Sequence, residues 1–274
     1  MKLAAGRTIV LTGASRGNAY PLKMINTKAN GTTIGIGLEI AHCLLSPPLR
    51  SNVLVIARSE EPLLKLKEQY GRQVEVLCGD ATDTELPDKA VRAALTAFGR
   101  IDGLIVNHGI LGPVARIVLS DVEEWKKGFE TNFFSAVEFV KATLPHIRIS
   151  RGNIIFTSSG AAVAPTTGWG FYGASKAAMN HLNMTLAREE PEIVSLAIRP
   201  GMVDTQMQEE LRSQHMDVLG PKDGERFLTA HKEGKLLPPE KPARVIAKLA
   251  ATAPRELSGQ FLNWNAQELK AYQE

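Results

Sequence analysis

Tyr172 and Lys176 stand four residues apart in the stretch Gly-Trp-Gly-Phe-Tyr-Gly-Ala-Ser-Lys. On a helix that spacing stacks the two side chains on one face. A free phenol, with a pKa near ~10, is a poor proton donor or acceptor at neutral pH. An ammonium one turn away favours the phenolate and draws that value toward the working range. Ser159 lies upstream, just beyond the apolar run Asn153-Ile-Ile-Phe-Thr157. A strand ending there, followed by a loop and a helix, would return its hydroxyl to the phenol. A hydroxyl donor, a proton-transfer group and a neighbouring cation suit reduction of a carbonyl or oxidation of an alcohol. Taken alone, Tyr-x-x-x-Lys is also what an exposed helix turn can show, so the reading rests on what surrounds it.

The elements that must position these groups alternate. Apolar β-branched runs at Thr8–Thr12, Val53–Ala57, Val74–Leu77, Gly103–Val106, Asn153–Thr157 and Val194–Ile198 read as strands. Gln260–Trp264 reads as a last one. Between them helical patterns run over Leu38–Leu45, Glu61–Tyr70, Thr84–Phe98, Asp121–Ile147 (frayed by Pro145), Tyr172–Glu189 and Ala243–Ala251. Strand–helix alternation predicts right-handed crossovers and a doubly wound α/β fold, a mostly seven-stranded parallel sheet covered on both faces. The 274 residues suffice for one such domain, and no internal repeat is visible. A polar segment from Thr205 to about Lys235 has no assigned period.

Composition narrows the class. No apolar run is long enough to cross a bilayer, and the opening Met-Lys-Leu-Ala-Ala-Gly is too short for a signal peptide. These features predict a cytoplasmic protein. A net charge of +3, spread along the chain, argues against a nucleic-acid binder. Cys43 and Cys78 lack metal-ligand spacing and sit in apolar stretches, which predicts buried free thiols and no metal.

The first strand ends in Gly13-Ala-Ser-Arg-Gly17, and the first helix opens only at Gly35-Ile-Gly37. With residues 18–35 passed over, the chain reads Thr-Gly-Ala-Ser-Arg-Gly-Ile-Gly, a glycine-rich turn between strand and helix. Such a turn lets backbone N–H groups approach a pyrophosphate at the helix's positive end. This turn resembles the Thr-Gly-x-x-x-Gly-x-Gly loop of the short-chain dehydrogenase/reductase family. The resemblance spans nearly the whole chain. Asn107-His-Gly109 is similar to the family's Asn-Ala-Gly, with His108 in place of alanine, a departure read as structural. Asn132 matches the helix asparagine of the family's tetrad, with Ser159, Tyr172 and Lys176 the other members. Pro200-Gly-Met-Val-Asp-Thr205 matches the segment that holds the nicotinamide amide.

The resemblance implies an NADP(H)-dependent carbonyl reductase. Gly13, Ser15, Arg16, Gly17, Ile36, Gly37, Arg58, Asp80, Asn107, Gly109, Tyr172, Lys176, Pro200, Gly201, Val203 and Thr205 would hold the cofactor. Arg58, directly after the second strand, would face a 2′-phosphate where an NAD enzyme places a carboxylate, and Arg16 adds a second basic residue there. Arg58 can equally be a solvated surface arginine, and Asp80, placed beside adenine by the resemblance, an ordinary turn residue. In the implied mechanism Ser159 and Tyr172 bind the carbonyl oxygen, Tyr172 gives the proton, and Lys176 tunes the phenol and binds the ribose. Asn132 holds a water that links Lys176 to solvent. The motifs look most like reductases of the benzil and sepiapterin type, which act on vicinal dicarbonyls. Trp169 and Met202, with Ser159 and Tyr172, would contact such a substrate. Trp169 and Phe171 fit an aromatic pocket or the core, and Met202, Met207 and Met216 a pliable cleft or plain packing. Relatives associate through the long helices here at 121–147 and 172–189, implying a homodimer or homotetramer.

The 18-residue insert at 18–35 departs from the family. One reading is a lid loop. The other, which we favour, is a retained short intron: Gly17-Asn18, Ala29-Asn30 and Ile34-Gly35 can encode a donor, a branch point and a terminal AG. Closing such a loop costs only about 2–3 kcal/mol, so the fold should survive. The phosphate cradle is expected to suffer, impairing cofactor binding. A non-catalytic dinucleotide sensor or scaffold is the remaining alternative.

Overall fold

A computed structural model describes residues 6–15 and 35–274. Arg16, Gly17 and the insert up to Ile34 lie outside the described residues, so the readings made of them have no structural counterpart here. Seven strands form one sheet, in the order β3-β2-β1-β4-β5-β6-β7, with every pairing parallel. They are β1 (Thr8–Thr12), β2 (Asn52–Ala57), β3 (Val74–Cys78), β4 (Gly103–Val106), β5 (Asn153–Thr157), β6 (Val194–Arg199) and β7 (Phe261–Asn263). The helices are α1 (Ile36–Leu45), α2 (Glu60–Tyr70), α3 (Leu86–Phe98), α4 (Val122–Phe129), α5 (Ser135–Ser150), α6 (Gly170–Glu189), α7 (Gln206–Gln214), α8 (Met216–Lys232), α9 (Glu240–Thr252) and the short α10 (Lys270–Gln273).

The unbroken apolar strands follow from burial on both faces. Ile9, Leu11, Val53, Val55, Ile105, Ile155, Leu196 and Ile198 pack into one core with α1 and α9. The alternate residues, Val10, Leu54, Ile56, Leu104, Val106, Ile154, Phe156 and Ala197, pack into the other with α3, α5 and α6. Register is therefore fixed: a one-residue slip would exchange the two sets. Chain order reverses between β1 and its neighbours β2 and β4, which opens a crevice at the carboxyl ends of those strands.

Several boundaries depart from expectation for identifiable reasons. The third helix starts at Leu86, not Thr84, because Asp80 and Asp83 accept bonds from the amides of Thr82 and Glu85 and fold the approach into turns. The expected continuous helix over 121–147 is broken by one π turn, Glu130–Phe134, and Pro145 does not fray it, since α5 runs to Ser150. Pro145 lies on the exposed side, where water can satisfy the carbonyl left without a partner, while Thr143 and Ile147 stay anchored in the core. The polar segment after Thr205 is mostly helical, forming α7 and α8. The thiols are not both buried: Cys43 is half-buried, but Cys78, at the tip of edge strand β3, is exposed.

Asp102, 1 % exposed, locks the amino-terminal edge of the sheet. Its carboxylate accepts from the Thr8 amide at 2.8 Å and from Arg100 Nε at 2.8 Å. Asp102→Ala would leave the Thr8 amide without that acceptor. We expect a loss of about 2–3 kcal/mol, read as a lower urea midpoint at unchanged slope.

Candidate active site

Lys176 and Tyr172 are carried by α6, one turn apart, and both side chains are buried. The Lys176 ammonium lies 5.9 Å from the centre of the Tyr172 ring and donates at 2.9 Å to the carbonyl of Thr157, the last residue of β5. Ser159 follows two residues later in the loop and hydrogen-bonds the phenol. The strand–loop–helix path thus brings all three groups to one point.

The electrostatics differ from the expectation that the ammonium draws the phenol down. Burial raises the Tyr172 pKa, and only the Ser159 hydrogen bond pulls it back. Burial also lowers Lys176 to about 8. The cation is turned onto the Thr157 carbonyl, and desolvation of both groups outweighs their mutual attraction. At neutral pH the pair is therefore a neutral phenol and an ammonium close to its titration point.

Asn132 sits in the π turn, fully buried behind the cleft wall. Its Oδ1 accepts from the Ile110 amide at 2.7 Å, and its Nδ2 donates to the Ile110 carbonyl at 2.9 Å and to Ser175 Oγ at 3.1 Å. Ser175 in turn donates to the Tyr172 carbonyl. Both amide hydrogens are spent within the protein, so the side chain is a strut between the β4 loop and α6. Gly109 lies against both Asn132 and Lys176: a Cβ there would stand 3.3 Å from Asn132 Oδ1 and 3.5 Å from Lys176 Nζ.

Ser159, Tyr172 and Lys176 floor a cleft of about 590 Å³ that reaches back over the crevice of the sheet. Gly13, Ser15, Gly35, Ile36 and Gly37 line its far end. The flanks of the insert are in close contact, since a Cβ on Gly37 would lie 1.9 Å from the Gly13 carbonyl oxygen and 2.7 Å from Asn107 Nδ2. Only glycine permits that approach, and it places the start of α1 against the end of β1. Arg58 and Asp80 lie along the same cleft, 3.8 Å apart and each about half exposed. Burial of Asp80 is outweighed by hydrogen bonds from Thr82 and by Arg58, so its carboxyl stays below the usual range. The aspartate is thus both a turn residue and a cleft residue. Asn107, Gly109, Pro200, Gly201, Met202, Val203 and Thr205 complete the wall. Trp169 lines the cleft, whereas Phe171 is 1 % exposed and packs edge-on against Trp125 and Phe129, which settles it in the core.

The cradle fits a dinucleotide. A helix amino terminus abuts a strand end where side chains are excluded, and among the described residues the cleft extends from there to Tyr172. Comparison with known proteins agrees. The short chain dehydrogenase profile matches residues 29–216. An uncharacterized oxidoreductase of Saccharomyces cerevisiae, YIR035C, is 38% identical over 266 residues, covering 95% of this chain and 96% of that protein. Its crystal structure superposes with a TM-score of 0.89 at 37% identity, covering 98% of this chain and all of that one. The S. cerevisiae protein described as benzil reductase ((S)-benzoin forming) IRC24 is 37% identical over 279 residues, 96% of this chain and 98% of its own. A Bacillus cereus protein with the same benzil reductase description is 30% identical over 233 residues, 81% and 92% of the two chains. Fold and site together define an oxidoreductase built around a nicotinamide dinucleotide. The chain belongs to the short-chain dehydrogenase family.

Phe227 was not among the site residues read from the sequence. Phe227 of α8 lines the cleft and packs on Trp169, with ring centres 5.3 Å apart. As the one Phe, Tyr or Trp between Thr205 and Lys235, it carried a signal that went unused. His108, read from the sequence as structural, lies between two hydroxyls. Its Nε2 lies 2.7 Å from Ser135 Oγ and its Nδ1 2.7 Å from Thr12 Oγ1. Ser135 gives its hydroxyl hydrogen to the Thr131 carbonyl, so the imidazole donates from Nε2; a neutral ring then accepts at Nδ1 from Thr12 Oγ1, whose other acceptor is the Ile105 carbonyl at 3.2 Å. Burial, and next the Lys176 charge, push His108 down to about 4. The ring is a neutral brace between the end of β1 and the start of α5.

Because the unfolded chain protonates this imidazole near ~6.5 and the folded chain only near 4, the stability it contributes is complete above the unfolded value. It is lost as pH falls toward the folded one. Nitrogen-detected NMR should show a neutral Nε2–H tautomer from pH 8 to 5, and His108→Gln should flatten the stability–pH slope below 6.5. Ordinary titration near 6.5 would rule out the brace.

Proposed function

We propose that the protein is an NADPH-dependent carbonyl reductase acting on aromatic ketones and vicinal diketones. The observation that carries this reading is the Ser159–Tyr172–Lys176 cluster, its phenol and ammonium buried, at the floor of a cleft continuous with the Gly13–Gly37 cradle. When bound, the nicotinamide supplies the hydride. The chain supplies the rest. Ser159 and Tyr172 hold the carbonyl oxygen, and the neutral phenol donates its proton to that oxygen as charge develops there. The resulting phenolate is stabilised by the Ser159 hydrogen bond and the Lys176 ammonium. Lys176, near its titration point, returns the proton. Asn132 keeps α6 and the β4 loop in register.

NADP in preference to NAD is supported by Arg58, whose guanidinium lines the cleft and is only loosely paired with Asp80. Substrate class is supported by Trp169, Phe227, Met202 and Met207 along the cleft, and by the two relatives described as benzil reductases. We assign the protein to the cytoplasm, with which two free thiols accord. We also assign it a homodimer or homotetramer through α5 and α6, where Phe134, Ile149 and Met184 are exposed apolar residues beside or on those helices.

The test is NADPH oxidation with benzil, followed at 340 nm. Tyr172→Phe should lower kcat by at least about 10²-fold with a much smaller effect on NADPH binding. Arg58→Ala should weaken NADPH about tenfold or more and leave NADH unaffected. Binding without turnover in the wild type would instead favour a dinucleotide sensor. A chain lacking residues 18–35 should bind NADPH more tightly than the full chain, and equal affinity would make the insert a real loop.

A further inference from the structure

The loop that delivers the chain into α6 is gripped from outside at three successive residues. Asp223 of α8 accepts a hydrogen bond from the Thr167 amide at 2.9 Å and another from the Thr167 hydroxyl. Val218 of α8 abuts Gly168, where an added Cβ would lie 2.7 Å from its Cγ1. Phe227 packs on Trp169 at 5.3 Å, and Trp169 stands edge-on to Tyr172 at 5.5 Å. A path of three aromatic rings thus leads from α8 to the phenol.

The part of α8 that supplies Asp223 and Phe227 is set off from the rest. At Gly220 the backbone leaves helical geometry (φ 70, ψ 178), and Pro221 follows. That φ is comfortable only for glycine, so α8 is two arms joined at a fixed joint. The arms fold onto one another where Gly224 meets Met216; a Cβ on Gly224 would lie 2.6 Å from the Met216 methyl. Met216, Leu219 and Phe227 all join the small apolar cluster around Tyr172 and Phe171, which the sheet cores do not include. The second arm thus adds a separate contact to the site, secured by one carboxylate 56 residues away from its partner in the chain.

We propose that Asp223 is a positioning residue: it latches the second arm of α8 onto Thr167 and so holds Phe227, Trp169 and Tyr172 as an aromatic wall that selects planar aromatic substrates over small aliphatic ones. The proposal rests on the carbonyl-reductase reading for its substrate class, but the latch itself does not. A carboxylate accepting from both the amide and the hydroxyl of one residue is a charge-assisted clasp, stronger than a bond between neutral groups. Arg226, next to Phe227, also lines the cleft and lies with its guanidinium carbon 4.8 Å from the Phe227 ring centre, so a cation sits against the wall. Without the clasp the second arm keeps only its apolar contacts, and the wall loses its fixed distance from the phenol.

The test compares the full-length wild type with Asp223→Ala and Asp223→Asn. In Asp223→Ala, KM for benzil should rise about tenfold with kcat within about twofold, while KM for 2,3-butanedione stays within about twofold. Asp223→Asn, whose amide oxygen can still accept, should recover much of the benzil KM. Hydrogen exchange and fluorescence require no turnover. The Thr167 amide and residues 221–232 should lose protection in Asp223→Ala while α9 is unchanged. Tryptophan emission should shift to the red, a shift absent when Trp169→Phe is also present. Unchanged protection at Thr167, or equal KM changes for the two diketones, would overturn the proposal. If the wild type reduces neither diketone, the carbonyl-reductase reading and the substrate selection built on it fail together, and the exchange and emission results still decide the latch and the wall.

Discussion

The structure depends on keeping a lysine ammonium out of water beside a phenol. Lys176 is 4 % exposed, and burial takes its pKa from the ordinary 10.5 to about 8. That difference amounts to about 3 kcal/mol against the charged form. The Thr157 carbonyl limits the cost, and it can do so only because β5 ends where α6 passes over it. Asn132 and Ser175 fix α6 at that crossing by tying it to the Ile110 backbone and to the Tyr172 carbonyl. The π turn belongs to the same arrangement: it interrupts an otherwise regular helix where Asn132 must face inward and Thr131 must offer its carbonyl to Ser135. An irregular turn at a point of such demand is where helices commonly depart from α geometry.

From that centre, constraint passes to the crevice of the sheet through His108. The imidazole joins Thr12 at the end of β1 to Ser135 at the start of α5, and Asn107 beside it bonds both the Gly13 carbonyl and Thr157. The residues that border the dinucleotide cradle and the residue that holds the ammonium therefore share one hydrogen-bonded patch. Buried polar networks of this kind are costly when partly satisfied and specifying when complete. At His108 both ring nitrogens have a partner, and burial favours the neutral form.

Much of the fold was legible because its signals are local and repeated. Both faces of β1, β2 and β4 to β6 are buried, so these strands read as apolar runs, and each intervening helix announces its own period. The three groups at the cleft floor were legible for a different reason: a strand, a loop and a helix in succession leave few places for Ser159, Tyr172 and Lys176 to go. What the sequence did not disclose depends on partners distant in the chain. The balance between burial and charge at Tyr172 cannot be read from a spacing of four, and it goes against the phenolate. Nor does Asn132 declare that Ile110 will consume both edges of its amide. Phe171 and Trp169, two residues apart, look equivalent in sequence, yet the helix turns one into the core against Trp125 and leaves the other on the cleft.

The segment after Thr205 shows the same limit from the other side. Its composition is polar because most of its surface is wet, and a polar stretch gives weak periodicity even when it is helical. Its inward contacts are few: Leu211, Leu219 and Phe227 are its buried large side chains among the cleft cluster. A helix pair secured by so little apolar surface has its position decided by specific bonds, and Asp223 on Thr167 supplies one at the entrance to α6. Helix α6, packed on the sheet, holds the proton-transfer groups, whereas the wall facing them is carried on an arm whose placement rests on a joint and a clasp. Substrate preference can thus change through residues on α8 while the buried cluster around Lys176 remains as it is.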